Sequence, residues 1–342
     1  MEKITWRSPS NIALIKYWGK YGHQFPKNAS ISFTLENAYT ETSVSFAPKS
    51  EAGISLTFLF ESNRNELFEA KIKKFLASII PEHPFLEKYH LDIHSLNSFP
   101  HSTGIASSAS SMSALALCLC SIERYLEGKS EGDADFFSKA SQIARIGSGS
   151  ASRSVYPTLA AWGSHPSIVG SSQEYAVPFE HFHPVYATFK DAILIVSKNE
   201  KEVSSRVGHV LMENNPFAEV RFMQAEKNMD TLISTLHNGD LNTFGSIVEK
   251  EALTLHALMM TSEPSFVLMK AETLSIIEAV RGFRNEHQIP MFFTLDAGPN
   301  VHVLYPEAVA EKVENFIEEK LLKYCEGGHW ISDRVGQGPK RV

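Results

Sequence analysis

Cysteine is nearly absent: three residues in 342, Cys118, Cys120 and Cys325, with neither the paired spacing of a zinc site nor the even number of a disulfide framework. A reducing cytoplasm fits that usage. Long hydrophobic runs are missing too, since no stretch approaches the ~20 apolar residues that span a bilayer. The most apolar helix-like stretch, 114–119, is short and preceded by serines, as expected inside a globular domain. Residues 1–9 lack the apolar core of a signal peptide. An excess of positive charge is also lacking: 32 basic against 39 acidic residues leave a formal charge of -7, which favours solubility and argues against nucleic acid or an anionic membrane as partner. There is no internal repeat and no low-complexity tract. A length of 342 residues with 43% hydrophobic content suits two packed domains of a soluble, cytoplasmic protein.

Apolar and polar residues alternate at 43–46 and 54–58, which predicts half-buried strands. At 66–80, Leu67, Ala70, Ile72, Phe75 and Ile79 fall near helical spacing, so strand gives way to helix. Another strand is expected at 90–94, then a break at 97–100, an apolar helix over 110–125 and a further helix over 136–146. Beyond Phe189 the rhythm changes to a buried strand at 192–196, helices at 215–237, 241–258 and 265–286, strands at 291–295 and 301–305, and a last helix at 306–323. The expected domains are 1–185 and 186–342.

Four segments bear chemistry. The first is a Gly/Ser turn, with Pro100, Gly104, Ala106, Ser107 and Ser108, ahead of the apolar helix. Backbone amides at a helix N-terminus attract phosphate, and serine hydroxyls reach a phosphate-bound magnesium. The Gly-Lys-Ser/Thr ending of a Walker loop is missing, and an ordinary serine N-cap explains the turn equally well. The second, with Ser148, Gly149, Ser150 and Arg153, pairs small residues that admit a ligand with a guanidinium fork suited to carboxylate or phosphate. A Gly/Ser connector with one surface arginine is the plainer alternative. In the third, an apolar strand delivers Asn11, Lys16, Tyr17, Trp18, Gly19 and Lys20 within ten residues; the rings suit a core, but the cations and donors around a glycine suit an anion. The fourth, 294–300, places Asp296 at the end of a predicted strand beside a Gly-Pro turn, as an Asx turn or as a base aimed into a cleft.

Taken together, these segments resemble the GHMP small-molecule kinase superfamily and, within it, the diphosphomevalonate decarboxylases. The opening pattern N-I-A-x-x-K-Y-W-G-K is matched by Asn11, Ile12, Ala13, Lys16, Tyr17, Trp18, Gly19 and Lys20. The phosphate loop P-x-x-x-G-L-A-S-S-A is met at Pro100, Gly104, Ala106, Ser107, Ser108 and Ala109, with Ile105 for leucine. The pattern G-S-G-S-A-C-R-S is met over 147–154, with Ser152 for cysteine, and T-F-D-A-G-P-N over 294–300, with Leu295 for phenylalanine. Val203, Ser204, Ser205 and Gly208 resemble the V-S-S-x-x-G stretch that contacts diphosphate in the decarboxylases. The Asp-Ala-Gly-Pro-Asn form separates the decarboxylases from the ordinary kinases. Tyr21 and Gly22 stand where the family commonly has arginine and an acidic residue, and His101, Ser102 and Thr103 replace small residues, departures that bear on mono- versus diphosphate preference.

The resemblance implies an α+β, two-lobed fold, with an N-terminal lobe like ribosomal protein S5 and a ferredoxin-like C-terminal lobe. It implies ATP and Mg2+ as cofactors, diphosphomevalonate as substrate and a homodimer. Asp296 would orient or deprotonate the 3-hydroxyl, with Lys16 beside it as counter-charge. Arg153 and Asn11 would hold the carboxylate and hydroxyl region. Tyr17, Lys20, Ser148, Ser150, Ser205 and Arg206 would hold the diphosphate, and Trp18, Gly19 and Gly149 would also bind the substrate. Pro100, Gly104, Ala106, Ser107 and Ser108 would hold the nucleotide, Ser107 also the metal. A kinase of the same superfamily, a monophosphate decarboxylase and a silent phosphometabolite-binding protein remain alternatives.

Overall fold

The computed structural model describes residues 2–99, 107–199 and 205–342, and of Ser205 and Arg206 only the backbone. The N-terminal half contains β1 (Glu2–Ala13), the short pair β2 (Lys20–Tyr21) and β3 (Phe25–Pro26), β4 (Ser30–Pro48), β5 (Ser55–Phe60), β6 (Asn63–Arg64), α1 (Glu66–Ser78) and β7 (Tyr89–Asn97). It continues through α2 (Ser107–Glu127), α3 (Ala134–Gly147), β8 (Leu159–Trp162) and β9 (Ala176–Pro178). After β10 (Phe189–Leu194) come α4 (Ser205–Val210), α5 (Ala218–Asn238), α6 (Leu241–Met260), α7 (Ala271–His287), β11 (Phe292–Leu295), β12 (Val301–Pro306), α8 (Ala310–Phe316), β13 (Trp330–Arg334) and β14 (Lys340–Arg341).

One sheet runs β14-β1-β4-β7-β5-β6, with β8 also on β4 and β9 on β8; the pairing of β5 with β7 is parallel. The other is antiparallel, in the order β11-β12-β10-β13. The α+β class expected from the sequence is the one observed.

β4 has two neighbours in turn. Residues 40–48 pair with β7 and alternate buried with half-exposed positions, as a strand with one wet face does. Residues 30–33 pair with β8 and are buried continuously, because both faces are covered there. The register against β1 jumps from Pro9–Tyr39 to Asn11–Thr34. The backbone amides of Glu36, Asn37 and Ala38, within this irregularity, donate to the Asp333 carboxylate of β13 at 3.0, 2.7 and 2.7 Å. The end of the chain thereby stitches the two sheets together.

α2 buries small residues, Ser113, Ala114 and Ala116 among them, so it lies close on β1; Trp6 Nε1 donates to Ser121 Oγ at 2.8 Å. Cys118 and Cys120 are inside this core, and burial pushes both thiols up to about 12. A second core runs without a break from Ile12, Ile31 and Phe33 to Phe189, Ile193, Phe244 and Phe292, so the two sheets share apolar packing. On the far side of the second sheet, Leu194, Phe293 and Val303 pack on Ile276, Val280 and Val313 of α7 and α8.

Some elements differ from expectation. The helix predicted from 265 starts at Ala271, where Thr273 Oγ1 accepts the Lys270 amide at 3.1 Å. The predicted helix at 306–323 breaks into 3-10, α and π turns. The segment at 147–154 is not a connector but a buried 3-10 helix, Gly149–Val155.

Burial raises the Asp333 carboxyl to about 6, against the pull of its backbone donors. A carboxyl raised on folding contributes stability that is present below its unfolded value and lost as pH climbs through its folded one. Relative to Asp333→Asn, the wild type should therefore lose stability between pH about 4 and about 6, as measured by urea unfolding at several pH values.

Candidate active site

β1 ends at Ala13, and the chain then carries Lys16 into the space between the sheets, where it is buried. Its backbone is held mainly from the C-terminal half. The amide donates to Glu251 Oε2 at 2.8 Å, and the carbonyl accepts from Arg221 Nη2 at 3.2 Å and from Asn28 Nδ2 at 3.1 Å. Lys16 Nζ meets Asp296 Oδ1 at 3.1 Å, across 280 residues of sequence. Burial holds the Lys16 ammonium below its ordinary value, partly offset by Asp296 and Glu251.

Asp296 follows β11 in a turn pinned on three sides. His256 Nε2 donates to the Asp296 carbonyl at 3.1 Å, and Thr273 Oγ1 to the Pro299 carbonyl at 2.7 Å. Asn300 accepts from the Ser197 amide at 2.9 Å and donates to the Ser197 carbonyl at 3.1 Å. The carboxylate therefore stands on a backbone with little freedom to move.

Arg153 is buried in the 3-10 helix Gly149–Val155. It donates through Nη1 to Ser30 Oγ and through Nη2 to Asn11 Oδ1, the latter at 3.2 Å. Asn11 Nδ2 in turn reaches Ser154 Oγ at 2.8 Å and the Ser150 carbonyl at 3.1 Å, so β1 orients the arginine through one side chain. Nε has no partner among the described residues. Burial brings the guanidinium down to about 10, countered by Asp296 and Tyr17, and it stays charged at neutral pH.

The turn after Lys16 is built on aromatic contacts. Tyr17 packs edge-on against Trp162 at 4.8 Å and lies 4.3 Å from the His209 ring, with its hydroxyl buried and without a partner among the described residues. Trp18 is buried with Met212, Leu255 and Leu258, which commits much of its surface to packing. Gly19 takes φ +97°, a conformation natural to glycine. Lys20 Nζ donates to Gln24 Oε1 at 2.9 Å.

Ser107 opens α2, half-buried, and the exposed Ser108 shares a 3.2 Å hydrogen bond with Ser148, which joins the helix start to the turn at 147–150. Gly149 is buried under Tyr17 and Trp162. Pro100, Gly104 and Ala106 lie outside the described residues, as do Val203 and Ser204; Ser205 and Arg206 are described only as the start of α4. A separate groove of about 660 Å³ between α6 and α7, lined by Glu249, Lys250, Arg281 and Arg284, contains none of the residues singled out from the sequence.

Residues 8–173 match the model of the diphosphomevalonate decarboxylase-like N-terminal domain, and residues 192–340 that of the mevalonate 5-diphosphate decarboxylase C-terminal domain. The diphosphomevalonate decarboxylase of Candida albicans is 30% identical over 320 residues, covering 90% of this chain and 85% of that one. This chain belongs to the diphosphomevalonate decarboxylase family. Among solved structures, mevalonate diphosphate decarboxylase from Staphylococcus aureus is similar with a TM-score of 0.84 at 29% identity, over 100% of this chain and 98% of the other. The structure described as MDDEF in complex with MVAPP, AMPPCP and magnesium gives 0.84 at 28% identity, over 99% and 98%.

Within this decarboxylase fold, sequence motifs had not pointed to Arg221, Glu251, Asn28, Ser30, His209 or His256. Glu251 leaves one signal: it sits on the core-facing side of α6, in line with Val248 and Leu255, where a lone carboxylate has no apolar explanation. Arg221 sits likewise between the buried Ala218 and Ala225 of α5. Glu251→Gln should lower unfolding free energy by roughly 3–5 kcal/mol, as breaking a buried pair does, read from denaturant midpoints. A loss below about 1 kcal/mol would mean that the pair does not anchor the Lys16 backbone.

Proposed function

We propose that this chain catalyses ATP-dependent decarboxylation of (R)-5-diphosphomevalonate to isopentenyl diphosphate, carbon dioxide, ADP and phosphate, a step of the mevalonate route to isoprenoids. The observation that carries the reading is the contact of the buried Lys16 with the half-buried Asp296, with Arg153 close enough to feel the Asp296 charge. MVAPP and the ATP analogue AMPPCP, together with magnesium, occupy the similar MDDEF structure.

Asp296 accepts the hydrogen bond of the substrate 3-hydroxyl and aims its oxygen at the γ-phosphorus of ATP. As the new P–O bond forms and the bond to ADP breaks, the hydroxyl proton passes to Asp296. Lys16 supplies the counter-charge at that carboxylate. Arg153, held by Asn11 and Ser30, binds the substrate carboxylate through the Nε edge that no described residue occupies. The 3-phosphate then leaves with its bonding electrons, positive charge grows at C3, and the C–C bond to the carboxylate supplies the electrons of the new double bond as carbon dioxide departs. Arg153 holds that carboxylate in line until it goes. Tyr17, Lys20, Ser148, Gly149, Ser150, Ser205 and Arg206 take the diphosphate.

Magnesium fits the start of α2, where the Ser107 hydroxyl is half-buried and Ser108 is exposed. Among the described residues no cluster of three His, Cys, Asp or Glu could hold a metal, so the ion would come with the nucleotide phosphates and take Ser107 as its protein ligand. It would neutralise charge on the transferring phosphoryl group. The cytoplasm belongs to the same reading, in keeping with three free, buried cysteines. So does a homodimer, for which Phe217, Val220 and Met223 expose an apolar strip along the start of α5. No helix among the described residues is long and apolar enough to cross a membrane.

The deciding assay is purified protein with ATP, magnesium and labelled diphosphomevalonate, scored for ADP and carbon dioxide. ADP without carbon dioxide would make the chain a kinase. Asp296→Asn keeps the turn but removes the charge, and should cut kcat at least ~100-fold, with ADP and carbon dioxide falling together; ADP formation that persists alone would move Asp296 to a later step. The lowered Lys16 value carries a sign: the ammonium is lost as pH rises through it. The profile of kcat should show an alkaline limb below pH ~10.4, absent from the less active Lys16→Met.

A further inference from the structure

His209 is buried at the cleft and takes no part in the reaction as written above. It lies on α4, immediately behind the Ser205 and Arg206 assigned to the diphosphate. Four contacts among the described residues tie this short helix to the turn after Lys16. His209 Nδ1 accepts the Gly19 amide at 3.0 Å. The ring lies 4.3 Å from Tyr17 and 4.7 Å from Trp18, tilted 40° and 36° to them. Gly208 rests on the Trp18 indole so closely that a Cβ there would fall 2.4 Å from Cζ2, so a side chain would push the helix away.

These contacts join α4 to the Tyr17–Lys20 turn, and the functional reading above assigns both segments to the same anion. Lys16 and Asp296 are fixed by a different set, Arg221, Glu251 and His256. Loosening α4 should therefore disturb binding rather than chemistry.

We propose that His209 is a positioning residue for the substrate diphosphate: it fixes α4, and with it Ser205 and Arg206, in register with the Tyr17–Lys20 turn. The inference rests on the functional reading above for the identity of the anion. Only a neutral imidazole with its proton on Nε2 offers Gly19 a lone pair at Nδ1. Burial, aided by the charge of Lys20, holds the ring down at about 3, so this acceptor is present at neutral pH.

Two substitutions separate the ring from the acceptor. His209→Phe keeps an aromatic ring but leaves the Gly19 amide unmet; His209→Asn loses the ring but returns an acceptor oxygen. His209→Phe should raise KM for diphosphomevalonate about tenfold, with kcat and KM for ATP within about twofold, and His209→Asn should recover part of the loss. Amide exchange at Gly19 should speed up in the phenylalanine variant and slow again in the asparagine one. Unchanged exchange at Gly19, or a fall in kcat with unchanged substrate KM in a variant that melts like wild type, overturns the proposal. If the wild type does not turn over diphosphomevalonate, the functional reading fails by itself, and calorimetric binding of inorganic diphosphate to wild type and His209→Phe decides the positioning role: equal affinities would refute it.

Discussion

Arg221 and Glu251 face each other from α5 and α6 with 1% and 0% of their side chains exposed, and the whole cleft is referred to that contact. Taking two charges out of water costs several kcal/mol per ion, which close geometry and additional hydrogen bonds must offset. Here they nearly do. Glu251 Oε1 accepts from Arg221 at 2.7 Å and Asn228 at 2.6 Å, and Oε2 accepts from Arg221 at 2.6 Å and from the Lys16 amide at 2.8 Å. The last of these bonds matters most, because it makes a loop of the N-terminal half part of the ion pair's own satisfaction. The Lys16 carbonyl is bound by the same arginine. With both backbone groups fixed, the lysine side chain starts from a set position, and its ammonium meets Asp296.

The electrostatics of the cleft follow from its burial. Lys16 and Arg153 are cations in a region that disfavours charge, and the negative groups nearby, Asp296 and Glu251, keep them from being uncompensated. Hydrogen bonds and charges count for more in such surroundings than in water, so an anion entering the cleft, as the proposed function requires, would meet strong, oriented donors. A further polar band crosses the shared core: His302 donates to Asp191 at 2.7 Å, and Asp333 follows on the adjacent strand. Asp191 raises the His302 imidazole against the opposing effect of burial. The apolar seam between the sheets is thus interrupted by a pair that must stay matched, which favours one register of β10 on β12.

Much of the candidate site was legible because its motifs are local. Asn11 to Lys20, Ser148 to Arg153 and Asp296 to Asn300 each carry a turn and its donors within a few residues, and periodicity located α2, α3, α5 and α6. The supports were not legible, because each depends on partners far along the chain. Arg221 binds a carboxylate 30 residues on and a carbonyl 205 residues back. The short strand β8, Leu-Ala-Ala-Trp, has little strand propensity of its own and is a strand because β4 lies beside it. The 3-10 helix at Gly149–Val155 reads as a loop by composition, and only Asn11 and Ser30, from other elements, give its arginine a reason to be inside.

By itself, the order of residues determined the α+β class and the helices with a clear apolar face, since these follow from spacing, and it supplied the motifs whose family resemblance nominates the candidate reacting groups. Tertiary structure alone decided which groups meet. It brought Lys16 to Asp296 across 280 residues and set His209 against Gly19 across 190. It also lowered the affinity of Lys16 and His209 for protons by removing water from around them. Desolvation and long-range pairing are properties of the packed chain, with no counterpart in any short stretch of sequence.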